Sequence, residues 1–220
     1  MKFGVVVFPG TNCDRDTVRA LETVGAQAEL LWHGTDQALD GCDGIILPGG
    51  FAHGDALRAG ALARFSAIMP RVIDFAAAGR PVLGICNGFQ VLVECGLLPG
   101  ALLRNASLQF RAGWVHCRVE RPIFGALHAG TILRLPIAHG MGNYVADPIA
   151  APDVALRYCS PSGEITPEAN PNGSYDNVAG VMRANVFGLM PHPERAVCQL
   201  LGSTDGRVLF EALVRALVAA

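Results

Sequence analysis

Lysine is almost absent from this chain of 220 residues. Lys2 is the one lysine among 17 basic side chains, and the others are arginine. A phosphate-binding loop ending in Gly-Lys-Ser or Gly-Lys-Thr is therefore excluded, because the lysine of such a loop contacts the phosphates. A Schiff-base mechanism would have to use Lys2 itself. We therefore expect any ATP chemistry to belong to a partner.

Long apolar runs and long runs of like charge are missing as well. Gly, Pro or charged residues interrupt every apolar run before the roughly 18 residues that a membrane span requires. The formal net charge is only -2, from 17 basic and 19 acidic residues. This balance makes nucleic acid an unexpected partner, and we expect a soluble protein without membrane contact.

The seven cysteines contain no Cys-x-x-Cys pair. An odd number of cysteines, with no secretory signal at the start of the sequence, is typical of free thiols in a reducing compartment. The expected location is the cytoplasm.

Strands and helices alternate in the first half of the chain. Strands are predicted at 3–8, 28–32, 44–47 and 81–85, and helices at 14–24, 57–78 and 87–94, with Pro70 dividing the long helix. Several of these strands are apolar throughout, which is typical of a parallel sheet covered on both faces.

Short strands separated by turns dominate the second half. They are predicted at 114–119, 131–135, 154–159, 178–182 and 186–190, before a final amphipathic helix at 205–218. The predicted fold class is therefore α/β: one domain over 1–220, with a doubly wound, mostly parallel sheet, helices on both faces and an antiparallel strand extension.

Cys86 lies in the sequence Gly84-Ile85-Cys86-Asn87-Gly88, between a predicted strand and a predicted helix. This is the pattern of a nucleophile elbow, whose small flanking residues allow close backbone approach. The helix dipole favours a thiolate there, and the N–H of Asn87 is a natural oxyanion donor. Simple burial of a free cysteine is the alternative, and the matching strand, turn and helix favour the nucleophile.

Cys13 also lies between a predicted strand and a predicted helix. Its neighbour Asp14 opposes thiolate formation, so we expect Asn12 or Asp14 to cap the helix rather than Cys13 to be catalytic. The remaining cysteines lack a motif and are expected to be packing residues: Cys42, Cys95, Cys117, Cys159 and Cys198.

His192 is the candidate base for the thiol. Pro191 and Pro193 flank it and favour an extended backbone, in which residues i and i+2 face the same way. Glu194 would then lie beside the imidazole, orient it and stabilise its charged form. In the alternative, His192 is a turn residue and Glu194 pairs with Arg195; the separate elbow at Cys86 favours the triad.

These motifs resemble those of the class I glutamine amidotransferases, which have a flavodoxin-like sheet and release ammonia from glutamine. The resemblance rests on Gly84 to Gln90 and on Pro191-His192-Pro193-Glu194. Further segments are similar to the glutaminase subunits of phosphoribosylformylglycinamidine synthase, of purine biosynthesis: 9–16, 47–51, 54–55, 57–61 and 136–140. The resemblance extends from residue 1 to the final helix.

The resemblance implies a role for each of these positions. Cys86 would be the nucleophile, His192 the base and acid, and Glu194 the residue that orients His192. Substrate glutamine would be bound by Gly50, Phe51, Asn87, Gln90, His139 and Gly140, with Gly50 and Asn87 supplying oxyanion N–H groups. The sequence departs from the usual pattern at Ala52-His53 and at Met141.

The resemblance also implies partners. Ammonia would pass to a synthetase subunit that makes formylglycinamidine ribonucleotide, and a small third subunit would join the assembly. No cofactor and no metal are expected in this chain, while ATP and magnesium are expected on the synthetase. Two other functions stay open: a stand-alone cysteine hydrolase or peptidase of the same fold, and a catalytically silent scaffold.

Overall fold

The computed structural model describes residues 1–36, 39–146 and 152–218. The strands are β1 (Lys2–Val7), β2 (Gln27–Trp32), β3 (Gly44–Leu47), β4 (Val82–Ile85), β5 (Ala101–Leu103), β6 (Arg111–Val119), β7 (Ile132–His139), β8 (Asn143–Val145), β9 (Val154–Cys159), β10 (Val178–Arg183) and β11 (Val186–Leu189). The α-helices are α1 (Asp14–Thr23), α2 (Met69–Ala77), α3 (Asn87–Glu94) and α4 (Asp205–Val218).

A nine-stranded sheet forms the centre of the fold, in the order β2-β1-β3-β4-β11-β10-β9-β6-β7. The strands from β2 to β11 in this order pair in parallel. Those from β11 to β7 pair antiparallel. The predicted α/β class, with a parallel half and an antiparallel extension, is confirmed.

The parallel half is buried because its strands are continuously apolar. Every residue of β3, β4 and β11 is buried, as expected for strands covered on both faces. Helix α3 packs against these three strands, while α1 packs against α4. Within the described ranges, no helix combines the length and apolarity needed to cross a bilayer.

The predicted helix at 57–78 is wrong over its first half. Only α2 and a single 3-10 turn at Ala63–Phe65 are helical there. Leu57 has a φ of 68° and is almost fully exposed. Pro70 does not divide a helix but lies in the first turn of α2, where its missing N–H costs no hydrogen bond.

The antiparallel half also differs in detail. β5 and β8 form a separate two-stranded ribbon that the sequence does not predict. β7 continues through Pro136 to His139, beyond its predicted end at Leu135. Proline is tolerated there because β7 is the edge strand of the sheet.

The start of α1 corrects another prediction. Cys13, not Asn12 or Asp14, is the residue at the N-cap position, and no side chain caps the helix. The backbone oxygen of Cys13 accepts hydrogen bonds from the N–H and the hydroxyl of Thr17. The carboxamide oxygen of Asn12 instead accepts a hydrogen bond from the Cys13 thiol at 3.2 Å.

Candidate active site

Cys86 lies at the sharp turn between β4 and α3. Its backbone has φ 49° and ψ -104°, a conformation that costs a non-glycine residue about 1–3 kcal/mol. The turn is held by a hydrogen bond from the N–H of Cys86 to the oxygen of Leu189, 2.8 Å long. Such a strained strand-to-helix turn holds the side chain at its tip, as in a nucleophile elbow, and here the thiol is largely buried.

Two glycines allow this turn to pack tightly. A Cβ atom on Gly88 would lie 1.8 Å from the backbone oxygen of Leu47, and one on Gly84 would lie 2.8 Å from the backbone of Gly88. The start of α3 therefore rests directly on β3 and β4. The two small residues of the sequence motif are required by backbone approach, as the elbow pattern predicts.

His192 reaches Cys86 because their strands are neighbours. β4 and β11 run in parallel with Ile85 opposite Leu189, so both chains leave the sheet at the same edge. The N–H of His192 then donates to the oxygen of Pro136, 2.8 Å away. Gly49 leaves room for the ring, since a Cβ there would lie 2.7 Å from the imidazole.

Glu194 lies beside His192, as the extended backbone predicts. The distance from His192 Nδ1 to Glu194 Oε1 is 2.6 Å, and both side chains are buried. His192 Nε2 and Glu194 Oε2 are both buried without a hydrogen-bond partner among the described groups. The ring nitrogen that Glu194 does not hold is therefore available for proton transfer.

The charge state of His192 depends on its neighbours. Burial lowers its pKa, but the Glu194 carboxylate and the nearby thiols of Cys86 and Cys13 outweigh burial and hold the pKa well above its ordinary value. An imidazolium is thus stabilised inside the protein. This is the environment that a thiolate–imidazolium pair requires.

A small cavity of about 170 Å³ opens above the thiol of Cys86. Its lining consists of Asn12, Cys13, Gly50, Phe51, Cys86, Phe110, Ala138, His192 and Arg195. Two of the predicted substrate-binding residues, Gly50 and Phe51, therefore lie in the same cavity as Cys86 and His192. The cavity has room for one amino-acid side chain.

Asn87 and Gln90 lie behind the cavity rather than in its lining. The side chain of Asn87 accepts a hydrogen bond from the N–H of Ala52 and donates to Gln90 and Asp55. Gln90 in turn donates to the backbone oxygen of Met141 at 2.7 Å. In this structure both side chains tie the loops around the cavity to α3.

Asp55 and Arg58 make separate contacts on α3. Asp55 faces Asn87, and burial raises the pKa of its carboxyl group. Arg58 makes a two-pronged ion pair with Glu94, at 2.5 and 2.6 Å. Arg58 thereby attaches the loop before α2 to the end of α3.

His139 and Gly140 end β7 next to the cavity. His139 is buried, and its Nε2 lies 3.0 Å from the Asn172 amide, which donates to it. Burial and the nearby His192 lower the pKa of His139 to about 4. The oxygens of His139 and Gly140 both accept hydrogen bonds from Asn105, which fixes this loop.

Five lining residues were not among the predicted site residues: Asn12, Cys13, Phe110, Ala138 and Arg195. The guanidinium of Arg195 donates to Cys13 Sγ at 3.1 Å, and that sulfur lies 3.9 Å from His192 Nδ1. Burial raises the pKa of the Cys13 thiol. The expectation that Asn12 or Asp14 caps the helix, with no catalytic role for Cys13, did not include this contact with His192.

Comparisons with known proteins agree with this geometry. The model of the CobB/CobQ-like glutamine amidotransferase domain family matches residues 1–207. Two similar proteins are each named phosphoribosylformylglycinamidine synthase subunit PurQ. The one from Moorella thermoacetica is 54% identical, and the match covers 97% of this chain and 95% of the relative. The one from Chlorobaculum tepidum is 55% identical, and the match covers 96% of this chain and 94% of the relative.

A solved structure is similar over almost the whole chain. A chain in the structure of PurLQS from Thermotoga maritima aligns with a TM-score of 0.89 and 43% identity, covering 97% of both chains. Sequence and structure thus agree on one assignment. The chain belongs to the glutamine amidotransferases, in the family of phosphoribosylformylglycinamidine synthase PurQ subunits.

Proposed function

We propose that the chain hydrolyses glutamine through a thioester on Cys86, as the glutaminase subunit of phosphoribosylformylglycinamidine synthase. The observation that carries the proposal is the meeting of His192 with a strained Cys86 at one edge of the parallel sheet. Glu194 lies 2.6 Å from the far nitrogen of the ring. The same three residue types are the ones that the family's chemistry requires.

The first half of the reaction forms the thioester. The Cys86 thiolate attacks the carboxamide carbon of glutamine, and the C=O electron pair moves onto oxygen. When the tetrahedral intermediate collapses, His192 gives its proton to the departing nitrogen, so that ammonia leaves rather than an amide anion. Glu194 stabilises the imidazolium of His192 until the proton is transferred.

The second half regenerates the enzyme. His192, now neutral, takes a proton from water, and the hydroxide attacks the thioester carbon. Glutamate leaves with one water oxygen, and Cys86 and His192 return to the thiolate and imidazolium. The net change is glutamine plus water giving glutamate plus ammonia.

Backbone donors are proposed to stabilise the oxyanion. The N–H of Asn87 lies in the first turn of α3, where the helix offers it no internal partner. Gly50 lines the same cavity as Cys86, at a φ of 146° that glycine adopts readily. We propose that these two N–H groups receive the charge that develops on the carboxamide oxygen.

The remaining substrate contacts are assigned by position. Phe51 lies in the cavity lining, and His139 and Gly140 follow the lining residue Ala138. We propose that Phe51 covers the bound glutamine and that the backbone at 138–140 positions it. Gln90 is proposed to act by holding the loop at Met141, its contact in this structure.

The ammonia is proposed to serve a synthetase subunit that converts formylglycinamide ribonucleotide to formylglycinamidine ribonucleotide. The PurLQS structure of the Thermotoga maritima relative supports such an assembly, including a small third subunit. ATP and magnesium are proposed to bind the synthetase, which agrees with the missing Gly-Lys-Ser/Thr loop. The free cysteines support a cytoplasmic location.

The test uses the reconstituted assembly of this chain with its synthetase partners. Cys86→Ala should abolish synthesis from glutamine and leave synthesis from added ammonium unchanged. Loss of both activities, or of neither, would contradict the proposed division of roles. Short peptides supplied in place of glutamine separate this function from a peptidase, since the proposal predicts no cleavage.

A further inference from the structure

A thiol, an imidazole and a carboxylate meet behind the Cys86–His192 pair. Cys13 Sγ, a ring nitrogen of His192 and a carboxylate oxygen of Glu194 lie within 4.8 Å of one another, and all three side chains are buried. Cys13 has no part in the proposed hydrolysis. The proposed hydrolysis therefore does not explain why Cys13 lies next to the base.

We propose that Cys13, His192 and Glu194 form an inhibitory site for a thiophilic divalent cation and that Zn²⁺ binds it most tightly. Thiolate sulfur, imidazole nitrogen and carboxylate oxygen are the three ligand types that zinc binds in proteins. A cation bound there would separate His192 Nδ1 from the Glu194 carboxylate, so the base of the reaction would lose the partner that stabilises its charged form. Hydrolysis of glutamine would then stop without any change to Cys86 itself.

The spacing of the three groups is close to that of a tetrahedral site. With Zn–S of about 2.3 Å and Zn–N of about 2.0 Å, sulfur and nitrogen lie about 3.5 Å apart. In the structure Cys13 Sγ and His192 Nδ1 are 3.9 Å apart. Zn–N and Zn–O of about 2.0 Å place the two ligand atoms about 3.3 Å apart, so the 2.6 Å contact between Nδ1 and the carboxylate would lengthen by about 0.7 Å.

The surrounding groups suit a bound metal. Glu194 Oε2 is buried and makes no hydrogen bond to a described group, so a free carboxylate lone pair is available. Arg195 donates to Cys13 Sγ at 3.1 Å, the kind of outer contact that stabilises a metal-bound thiolate. On binding, the cation replaces the thiol proton of Cys13 and the proton shared by His192 and Glu194, and both protons pass to solvent.

Access and the fourth position are provided by the cavity. Cys13 and His192 both belong to its lining, together with Cys86. A cation entering from solvent therefore reaches the site by the route proposed for glutamine. Water from the cavity would complete the tetrahedron.

The binding test removes the reactive cysteine first. In the full chain carrying Cys86→Ser, Co²⁺ should give a thiolate-to-cobalt absorption band, and Zn²⁺ should displace Co²⁺ at one site per chain. Adding Cys13→Ser should abolish the band and weaken Zn²⁺ binding at least tenfold in competition with a chromophoric chelator. Adding Cys95→Ser instead should change neither measurement, and thermal melts should show that all three variants are folded.

Two results would overturn the inference. One is a cobalt band and Zn²⁺ affinity that survive Cys13→Ser; the other is a complete loss of binding in Cys86→Ser with Cys13 intact, which would place the cation on the reactive thiol. The inhibitory role, unlike the binding, rests on the proposed function. If the chain binds Zn²⁺ through Cys13 but releases no ammonia from glutamine, the proposed function fails while the metal site stands.

Discussion

The backbone N–H of Cys86 donates a hydrogen bond to the oxygen of Leu189, 2.8 Å away. This one contact joins the ends of two adjacent parallel strands that are more than a hundred positions apart in the chain. Three residues beyond Leu189 the chain reaches His192, and directly after Cys86 it enters α3. Strand register therefore brings Cys86 and His192 to the lining of one cavity.

Replacing Glu194 tests the role of the carboxylate. Glu194→Gln keeps the shape of the side chain but removes the negative charge that holds the pKa of His192 high. We expect kcat for ammonia release to fall about a thousandfold or more, because the imidazolium loses its partner and the ring its fixed orientation. Assays of ammonia released from glutamine measure the change in kcat. Glu168→Gln is the control, because Glu168 lies outside the cavity lining and its replacement should leave kcat unchanged. A loss of less than tenfold would remove Glu194 from the triad.

Gly88→Ala tests the close contact beneath the elbow. The new methyl group would lie 1.8 Å from the oxygen of Leu47, so α3 would have to move away from β3. We expect the free energy of unfolding to fall by about 3 kcal/mol, the upper end for overpacking. Denaturant unfolding measures it. Gly41→Ala is the control, since its Cβ would meet nothing within 4 Å, and an equal loss there would refute the packing argument.

The lowered pKa of His139 predicts that the stability of the protein depends on pH. This pKa is about 4 in the folded protein and 6.5 in the unfolded chain, so the unfolded state takes up the proton first as pH falls. The contribution of His139 to the free energy of unfolding is therefore fully present above pH 6.5. It falls by about 3 kcal/mol as the pH drops from 6.5 to 4. His139→Gln should remove that part of the slope in denaturant titrations at several pH values. The exposed His128→Gln should keep the slope, and a His139→Gln slope like that of the natural chain would contradict the prediction.

Asn87 tests the link between the elbow and the loop at 51–55. Asn87→Asp keeps the acceptor for the Ala52 N–H but places a carboxylate 3.3 Å from that of Asp55. We expect the loop to loosen and KM for glutamine to rise about tenfold, with faster amide exchange at 51–55. Adding Asp55→Asn restores a donor to the pair and should recover most of the change. Failure of this rescue would show that the two side chains are not coupled.

The parallel half of the fold could be read from the sequence because its signals are local. β3 begins and ends as predicted, because a short apolar run between polar residues is typical of a buried strand. The elbow was predicted for the same reason, from five consecutive residues around Cys86. Glu194 followed from backbone direction, because flanking prolines fix the chain on both sides of His192.

The errors came from contacts between distant segments. The segment 57–62 contains good helix formers, yet Gly60 packs against the backbone of α3 at Val91, where a Cβ would lie 2.8 Å from the nitrogen. A catalytic role for Cys13 was set aside because Asp14 opposes thiolate formation and Asn12 or Asp14 was expected to cap α1. The contact between Cys13 and Arg195 joins positions 182 residues apart, which local pattern does not reveal.

The most direct measurement traps the covalent intermediate. The assembled enzyme turning over glutamine is quenched in acid, digested and examined by mass spectrometry for a glutamyl group. The account predicts one glutamyl thioester on the peptide that contains Cys86, absent in Cys86→Ser and still present in Cys13→Ser. A glutamyl group on Cys13, or ammonia release that continues in Cys86→Ser, would contradict it.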